Sequence, residues 1–137
     1  MKALLDTCVV SELAKPRPDP GVAAWVTAED EADLYLSVLT LGEIRKGVER
    51  LPDAPRKDVL RAWLETDLPA RFRGRVLAVD AAVADTWGQM LARSTQTLPA
   101  VDSLIAATAR AHGLVVVTRN ATDFSRCGVE VVDPWRA

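Results

Sequence analysis

Four acidic residues stand at points of the chain where a carboxylate could do chemistry: Asp6, Glu43, Asp102 and Asp123. Asp6 directly follows three apolar residues, where a carboxylate costs free energy to bury unless something pairs with it. Grouped carboxylates repel one another unless a cation or protons lie between them. Mg²⁺ and Mn²⁺ prefer oxygen ligands, and such an ion can activate water and stabilise charge on a phosphoryl group. If the acids converge, they suit metal-assisted attack on a phosphate ester.

The elements that must position these acids alternate along the chain. Apolar or alternating stretches predict strands at about 2–6, 33–38, 75–80, 114–118 and 129–133, the last at a sheet edge. Helical periodicity and capping residues predict helices at about 8–15, 20–28, 40–51, 56–71, 81–95 and 100–113. Asp80 is the predicted N-cap of the fifth of these helices, and Gly113 is the predicted end of the last.

This alternation predicts an α/β fold. Continuous apolar strands at 3–5 and 114–117 indicate a mostly parallel sheet of four to five strands, covered by helices on both faces. With 137 residues, the chain is expected to form a single domain, 1–137. In open parallel sheets, sites form beyond the carboxyl ends of the strands. We therefore expect the four acids to meet at that edge.

Each acid also has a structural explanation. Asp6 could cap the helix that follows it, and Thr40 and Glu43 match a capping box in which Glu43 bonds back to Thr40. Asp102 could offset a helix dipole, and Asp123 could bond within its own turn. Taken one at a time, capping is the better interpretation of Glu43 and Asp123. Four acids at one level are harder to explain by capping alone.

Composition argues against several other chemistries. His112 is the sole histidine, and its position before Gly113 at a predicted helix end favours a capping role, which argues against Ser-His and zinc-histidine sites. No Gly-rich phosphate loop is present. Cys8 and Cys127 lack metal-ligand spacing and indicate a reducing cytoplasm. The apolar runs are far too short to cross a bilayer, and the N-terminus has no signal-peptide pattern.

The net charge of −2 is unevenly distributed. Residues 45–75 carry nine Lys or Arg against five Asp or Glu, a local balance of +4 that leaves −6 for the remainder. A basic segment beside an acidic remainder could attract a polyanion. By itself, the segment is better interpreted as a solvated helical face on which opposite charges are interspersed.

Several stretches together resemble one family. They are LLDTCVVSEL, SVLTLGEIRKGVERL, AVDSLIAATARAHGLVVVTRNATDF and the closing VVDPW. Their order and spacing resemble PIN-domain ribonucleases, specifically VapC-type toxins of the FitB-like branch, and the resemblance extends from Lys2 to Trp135. It implies a three-layer α/β/α PIN domain that cleaves RNA endonucleolytically with Mg²⁺, for which Mn²⁺ is a possible substitute.

The resemblance also implies roles for individual residues. By motif position, the metal-holding, water-activating acids are Asp6, Glu43 and Asp102, the flanking hydroxyls are Thr7 and Thr118, and a fourth ligand is Asn120 or Asp123. Either choice leaves open whether one or two metals bind. Arg45 and Arg119 are candidate contacts to RNA phosphates, with surface ion pairing as the alternative. Cys8 stands where Asn is commoner in the family, and we expect this change to weaken a supporting hydrogen bond.

Partners follow from the same resemblance. Such toxins dimerise, can form larger toxin–antitoxin assemblies, and are blocked by a VapB-like antitoxin whose C-terminal segment enters the active-site groove. Helices at 20–28 and 40–71 would line that groove, and an antitoxin arginine would reach the carboxylates. Two alternatives remain: a catalytically weak binding module for antitoxin or RNA, and a metal-dependent phosphohydrolase. The phosphohydrolase reading expects a second Asp two residues after Asp6, where Cys8 stands.

Overall fold

Five short strands form one parallel sheet in the computed structural model, which describes residues 1–136. They are β1 (Ala3–Leu5), β2 (Leu34–Ser37), β3 (Val76–Leu77), β4 (Val115–Val117) and β5 (Val131–Val132). Their order is β3-β2-β1-β4-β5, and every neighbouring pair is parallel. The predicted α/β class is confirmed, and the last strand lies at an edge as predicted. The strand order shows in addition that β1 is the central strand and that β4 lies directly beside it.

Helices connect these strands. They are α1 (Thr7–Leu13), α2 (Pro20–Ala28), α3 (Val38–Glu49), α4 (Pro55–Ala62), α5 (Leu68–Arg71), α6 (Ala81–Arg93), α7 (Ala100–His112) and α8 (Ala121–Ser125). A 3₁₀ turn at Glu31–Asp33 precedes β2, and a π-helical turn at Trp63–Asp67 joins α4 to α5. The predicted caps hold at α6 and α7, since Asp80 Oδ1 accepts the Val83 N–H at 2.9 Å and Gly113 adopts φ 66°. Helix α8 was not predicted.

Helix α3 begins earlier than predicted, and this changes the interpretation of Glu43. The Ser37 hydroxyl accepts the Leu39 N–H at 3.1 Å, so Ser37 is the N-cap. Thr40 therefore lies inside the helix and Glu43 lies in its second turn. The capping box predicted for this pair is wrong, because an upstream hydroxyl already satisfies the helix N-terminus.

The helix predicted at about 56–71 is interrupted. Pro69 has no N–H to donate to a helical carbonyl, and the widened π turn ends at Asp67, two residues before it. The helical spacing of apolar residues in this stretch predicts that Val59 faces inward, but 57% of Val59 is exposed. The inner face of α4 instead follows Lys57 and Leu60, because the Lys57 Nζ donates to the Glu49 and Leu51 carbonyls at 3.2 and 3.1 Å.

The core consists of two layers, one on each face of the sheet. The fully buried strand β1 alternates between them: Ala3 and Leu5 pack with α1, α2 and α3, whereas Leu4 packs with α6, α7 and α8. This confirms the prediction of helices on both faces. It also leaves Asp6, the next residue, at the carboxyl end of the central strand.

Two expectations from composition have structural outcomes. Cys8 and Cys127 are both free thiols. Within residues 1–136, none of the helices has the length and apolarity that a bilayer span requires.

Candidate active site

Asp6 has hydrogen-bond donors on both carboxylate oxygens. Oδ1 accepts the Thr7 N–H at 2.8 Å, and Oδ2 accepts the Thr118 hydroxyl proton at 2.8 Å. The residue is 4% exposed, and burial raises the pKa of its carboxyl despite these bonds, which act to lower it. Asp6 is therefore the N-cap of α1, as the structural explanation predicted. Because Asp6 directly follows β1, it also lies at the edge of the sheet where the other acids lie.

Thr118, the residue that follows the neighbouring strand β4, orients Asp6. Its hydroxyl accepts the Asn120 N–H at 2.9 Å, so its own proton is directed to Asp6. Asn120 thus supports the site through its backbone, a contact that every residue except proline could make. The Asn120 residue itself is exposed at the N-terminus of α8.

Glu43 is positioned by two threonines. Its Oε1 accepts the Thr7 hydroxyl proton at 2.6 Å, and the Thr7 and Thr40 hydroxyl oxygens lie 3.1 Å apart. Since Thr7 has a single hydroxyl proton, Thr40 must donate to Thr7 when Thr7 donates to Glu43. Thr40 is fully buried, and the sequence pattern indicated only a capping role for it, not this hydroxyl network. A usable signal was present, because Thr40 precedes Glu43 by three residues and so shares its helix face.

The pKa of Asp102 reports the charges of the other three acids. Asp102 lies in the first turn of α7, as predicted, after a Pro99 N-cap that makes no side-chain hydrogen bond. The pKa of Asp102 is raised to about 6, first by burial and then by the negative charges of Asp6, Glu43 and Asp123. The four predicted acids therefore lie within electrostatic range of one another.

Asp123 occupies the outer part of this cluster. It lies in the first turn of α8, and its Oδ1 is 3.9 Å from Arg126 Nη1, a long ion pair. The hydrogen bond predicted between Asp123 and its own turn is not the contact that the structure shows. Here the carboxylate faces a cation one turn away instead.

The inner three acids, by contrast, lack a basic partner. Among residues 1–136, no Lys, Arg or His nitrogen lies within 4 Å of the carboxylates of Asp6, Glu43 or Asp102. Carboxylate and hydroxyl oxygens are a donor set that suits Mg²⁺ or Mn²⁺. In this same part of the chain, no three acidic, His or Cys side chains are already spaced around one ion. The residues fit such a cation by their chemistry, and closing around it requires side-chain movement.

Cys8 lies against this site without acting as a nucleophile. Its thiol is 3.5 Å from Asp6 Oδ2, and its sulfur accepts the Arg119 N–H at 3.5 Å. Burial, followed by the charge of Asp6, raises the pKa of the thiol to about 11. A thiol that stays protonated is a poor nucleophile. The expected weakening of a supporting hydrogen bond at this position stays a prediction.

The two arginines predicted to contact RNA are engaged elsewhere in the molecule. The Arg45 guanidinium pairs with Glu49 at 3.1 Å and with Glu65 at 2.9 Å. The Arg119 guanidinium stacks over the Trp135 ring, 4.9 Å from its centroid. Their contact with RNA stays a prediction.

An apolar groove of about 280 Å³ reaches Glu43 from the side of α1. Residues of α1, α3, α4 and the π turn line it, among them Ile44, Leu60 and Trp63, together with the basic residues Lys15 and Arg56. Helix α2, which was expected to line such a groove, contributes no lining residue among those described.

The comparison with protein families decides where this chain belongs. The family model described as PIN domain matches residues 3–129. The chain belongs to the PIN-domain family.

Relatives within the PIN-domain family cover nearly the whole chain. This PIN-domain protein is 36% identical to the VapC ribonuclease Y4jK of Sinorhizobium fredii, with 96% of each chain aligned. It is 38% identical to toxin FitB of Neisseria gonorrhoeae, over 96% of this chain and 97% of that one. The crystal structure of FitAcB from the same organism superposes with a TM-score of 0.92, covering 98% of this chain and 99% of that one at 38% identity.

Proposed function

We propose that this PIN-domain protein is a Mg²⁺-dependent endoribonuclease that acts in the cytoplasm as the toxin of a VapBC-type toxin–antitoxin pair. One observation carries the proposal: Asp102 lies within electrostatic range of Asp6, Glu43 and Asp123 near the carboxyl end of the central strand, and the inner three acids have no basic partner among the described residues. The relatives named VapC ribonuclease and toxin FitB support a hydrolase that acts on RNA.

Three acids would hold the metal. Asp6, Glu43 and Asp102 supply the inner oxygens, and Asp123 or Asn120 would complete the set. When bound there, Mg²⁺ supplies a Lewis acid that lowers the pKa of water and offsets charge on the phosphate. Mn²⁺, which takes similar ligands, is the expected substitute.

Two hydroxyls hold the acids in place for this role. Thr118 donates to Asp6 and Thr7 donates to Glu43, so the two carboxylates are held by protons from the residue that follows β4 and from α1. In the metal-free protein Asp102 keeps its proton up to about pH 6. A cation must displace that proton at lower pH, so metal affinity and cleavage should both fall below that value.

The expected partner is a VapB-like antitoxin, with a homodimer as the basic assembly. The C-terminal segment of the antitoxin would bind in the apolar groove beside Glu43. An arginine from that segment would form ion pairs with the unpaired carboxylates. A charged group that fills the acidic cluster would exclude both the metal and the RNA phosphate.

The test is cleavage of a structured RNA by the purified protein with Mg²⁺, with Mn²⁺ and with EDTA. Asp6→Asn is the site variant, and Asp67→Asn, at an exposed position in the π turn, is the matched control. We expect cutting in both metals, no cutting in EDTA, loss in Asp6→Asn and retention in Asp67→Asn. Equal cutting by Asp6→Asn would show that the cleavage does not depend on this site and would contradict the proposal.

A second candidate is a catalytically weak module that binds antitoxin or RNA. The observation that favours it is the absence, within residues 1–136, of three ligands already spaced around one ion. It predicts no cutting of any RNA in either metal, together with binding that survives Asp6→Asn.

A further inference from the structure

A polar pocket of about 280 Å³ lies outside the acidic cluster, and the proposed mechanism does not use it. Arg93, Ser94, Thr95, Gln96 and Arg126 line it. Its donors are thus two guanidinium groups, the Thr95 hydroxyl and the Gln96 side-chain amide, a set suited to an oxyanion. The pocket lies where the end of α6, the loop before α7 and the end of α8 come together.

This pocket shares the edge of the sheet that carries the acids. Helix α7 leads into the parallel strand β4, so it must begin at the carboxyl edge, where Asp102 lies. Helix α6 packs along α7 and is joined to it by a short loop, so Arg93 ends α6 at that same edge. On the other wall, Arg126 Nη1 is 3.9 Å from Asp123 Oδ1. Arg126 thus brings one wall of the pocket beside Asp123, the outermost acid of the cluster.

The two arginines are weakly committed to partners within the chain. Arg93 has no carboxylate within 4 Å among the described residues, and Arg126 has only the long contact to Asp123. Elsewhere, Arg45 and Arg71 hold carboxylates at 2.9 and 2.6 Å. Arg93 lies in the last turn of α6, where it also suits the helix dipole, but the dipole does not account for its convergence with Arg126.

The loop that follows Arg93, between α6 and α7, already has an ordered turn. The Ser94 hydroxyl donates to the Gln96 carbonyl at 2.7 Å and accepts the Gln96 N–H at 3.2 Å. These two bonds close a tight turn beside Arg93. An anion binding here would need to order few backbone atoms, which reduces the entropic cost of binding.

We propose that the Arg93–Arg126 pocket binds a backbone phosphate of single-stranded RNA adjacent to the phosphate that is cleaved. The proposal rests on the nuclease function above. A cluster of carboxylates repels an RNA strand, and two guanidinium groups at its border offset that repulsion and fix the position of the strand. The pocket is thus a substrate-positioning site, distinct from the acids that do the chemistry.

The test measures RNA binding in EDTA, where the proposed nuclease does not cut. A fluorescent single-stranded RNA of about a dozen nucleotides is titrated with the full chain at several salt concentrations, and anisotropy reports binding. The variants are Arg93→Ala, Arg126→Ala, their combination and Arg126→Lys. The matched control is Arg73→Ala, which removes an exposed arginine just before β3, at the opposite end of the strands.

We expect the double variant to bind about tenfold more weakly. The slope of log affinity against log salt should fall by about 0.7 for the one phosphate released. Arg126→Lys should lose part of the affinity, because an ammonium keeps the charge but not the planar fork. Arg73→Ala should bind like the wild type.

Equal binding by the double variant and the wild type would overturn the proposal, as would an equal loss in Arg73→Ala or no measurable binding by the wild type. A parallel cleavage assay in Mg²⁺ separates this from failure of the nuclease function. Cutting with unchanged binding in the double variant rejects the pocket alone. No cutting with pocket-dependent binding rejects only the nuclease.

Discussion

Charged residues are arranged in opposite ways in two regions of this molecule. In the helical segment 45–75, basic and acidic side chains alternate and pair, as in the network in which Glu49 contacts both Arg45 and Arg61. At the carboxyl edge of the sheet, Asp6, Glu43 and Asp102 lie together, and the described residues include no cation within 4 Å of them. In the first region four of the five acids pair with basic residues of the same region, whereas the three acids at the sheet edge have no such partner among the described residues.

This difference shows which charges the fold can account for. Exposed pairs such as those of Arg45 contribute little to stability, and their charges are already neutralised for an incoming polyanion. An uncompensated acidic cluster costs stability, and in this protein the hydroxyls of Thr118 and Thr7 hold two of its carboxylates in place. The uneven charge noted in the sequence is therefore informative at its acidic end, while the basic segment is the solvated face that its pattern favoured.

The largest expected effect comes from neutralising one acid of the unpaired cluster. Asp102→Asn should lower RNA cleavage by about a thousandfold, because it removes a charged oxygen ligand without changing the shape of the side chain. Asp67→Asn makes the same change in the paired region and should cut normally. Initial rates in Mg²⁺ measure the effect, and wild-type cutting by Asp102→Asn would remove the distinction between the regions.

A smaller effect on cleavage should follow from removing a hydrogen bond that positions an acid of the cluster while leaving the charge of the cluster unchanged. Thr40→Val removes the hydroxyl that donates to Thr7, which in turn holds Glu43. We expect kcat to fall about three- to tenfold with KM nearly unchanged, as the loss of one neutral hydrogen bond implies. Thr40→Ser keeps the hydroxyl and should restore kcat. An equal loss in both variants would indicate a packing role instead of a positioning role.

Stability should depend on pH through the same cluster. The pKa of Asp102 rises from 3.8 to about 6 on folding, so the folded protein holds this proton more tightly than the unfolded chain does. The stability that depends on Asp102 should therefore fall as the pH rises from 3.8 to 6 and stay low above that range.

In EDTA, Asp102→Asn should therefore unfold a few degrees higher than the wild type at pH 7.5 and at nearly the same temperature at pH 4. Thermal unfolding at several pH values checks this expectation. A gain of the same size at both pH values would mean that ionisation of Asp102 does not destabilise the fold.

The smallest effect is expected in the paired region. Arg45→Ala breaks two exposed ion pairs and should change the unfolding temperature by about 2 °C or less. Cleavage by this variant distinguishes the two interpretations of Arg45. Unchanged cleavage would fit a surface pair, and a large rise in KM would show that Arg45 leaves its pairs to contact RNA.

The sequence was sufficient for the fold class and for the level at which the acids lie. Strand and helix periodicities are local properties, and the carboxyl ends of parallel strands share an edge whatever the strand order. Where local patterns competed, prediction failed. Thr40 and Glu43 matched a capping box, but Ser37 three residues upstream caps α3. Nothing in the pattern ranks one hydroxyl above the other.

Contacts between distant segments could not be predicted. The adjacency of β1 and β4 gives Asp6 its bond from Thr118, across 112 residues of sequence, and strand order is not encoded in periodicity. The Arg93–Arg126 pocket has the same origin, because it joins the end of one helix to the end of another. Residue type located the acids, and tertiary packing determined which residues surround them.

The decisive measurement is a Mn²⁺ titration monitored by electron paramagnetic resonance. The signal of free Mn²⁺ decreases when the ion binds to the protein, so its intensity gives the bound fraction. We expect the wild type and Asp67→Asn to bind Mn²⁺ equally, and Asp6→Asn and Asp102→Asn to bind at least about tenfold more weakly. Affinity should fall below about pH 6, where Asp102 holds its proton. Failure of the wild type to bind Mn²⁺, or equal binding by all four proteins, would contradict the assignment of the unpaired carboxylates to a metal.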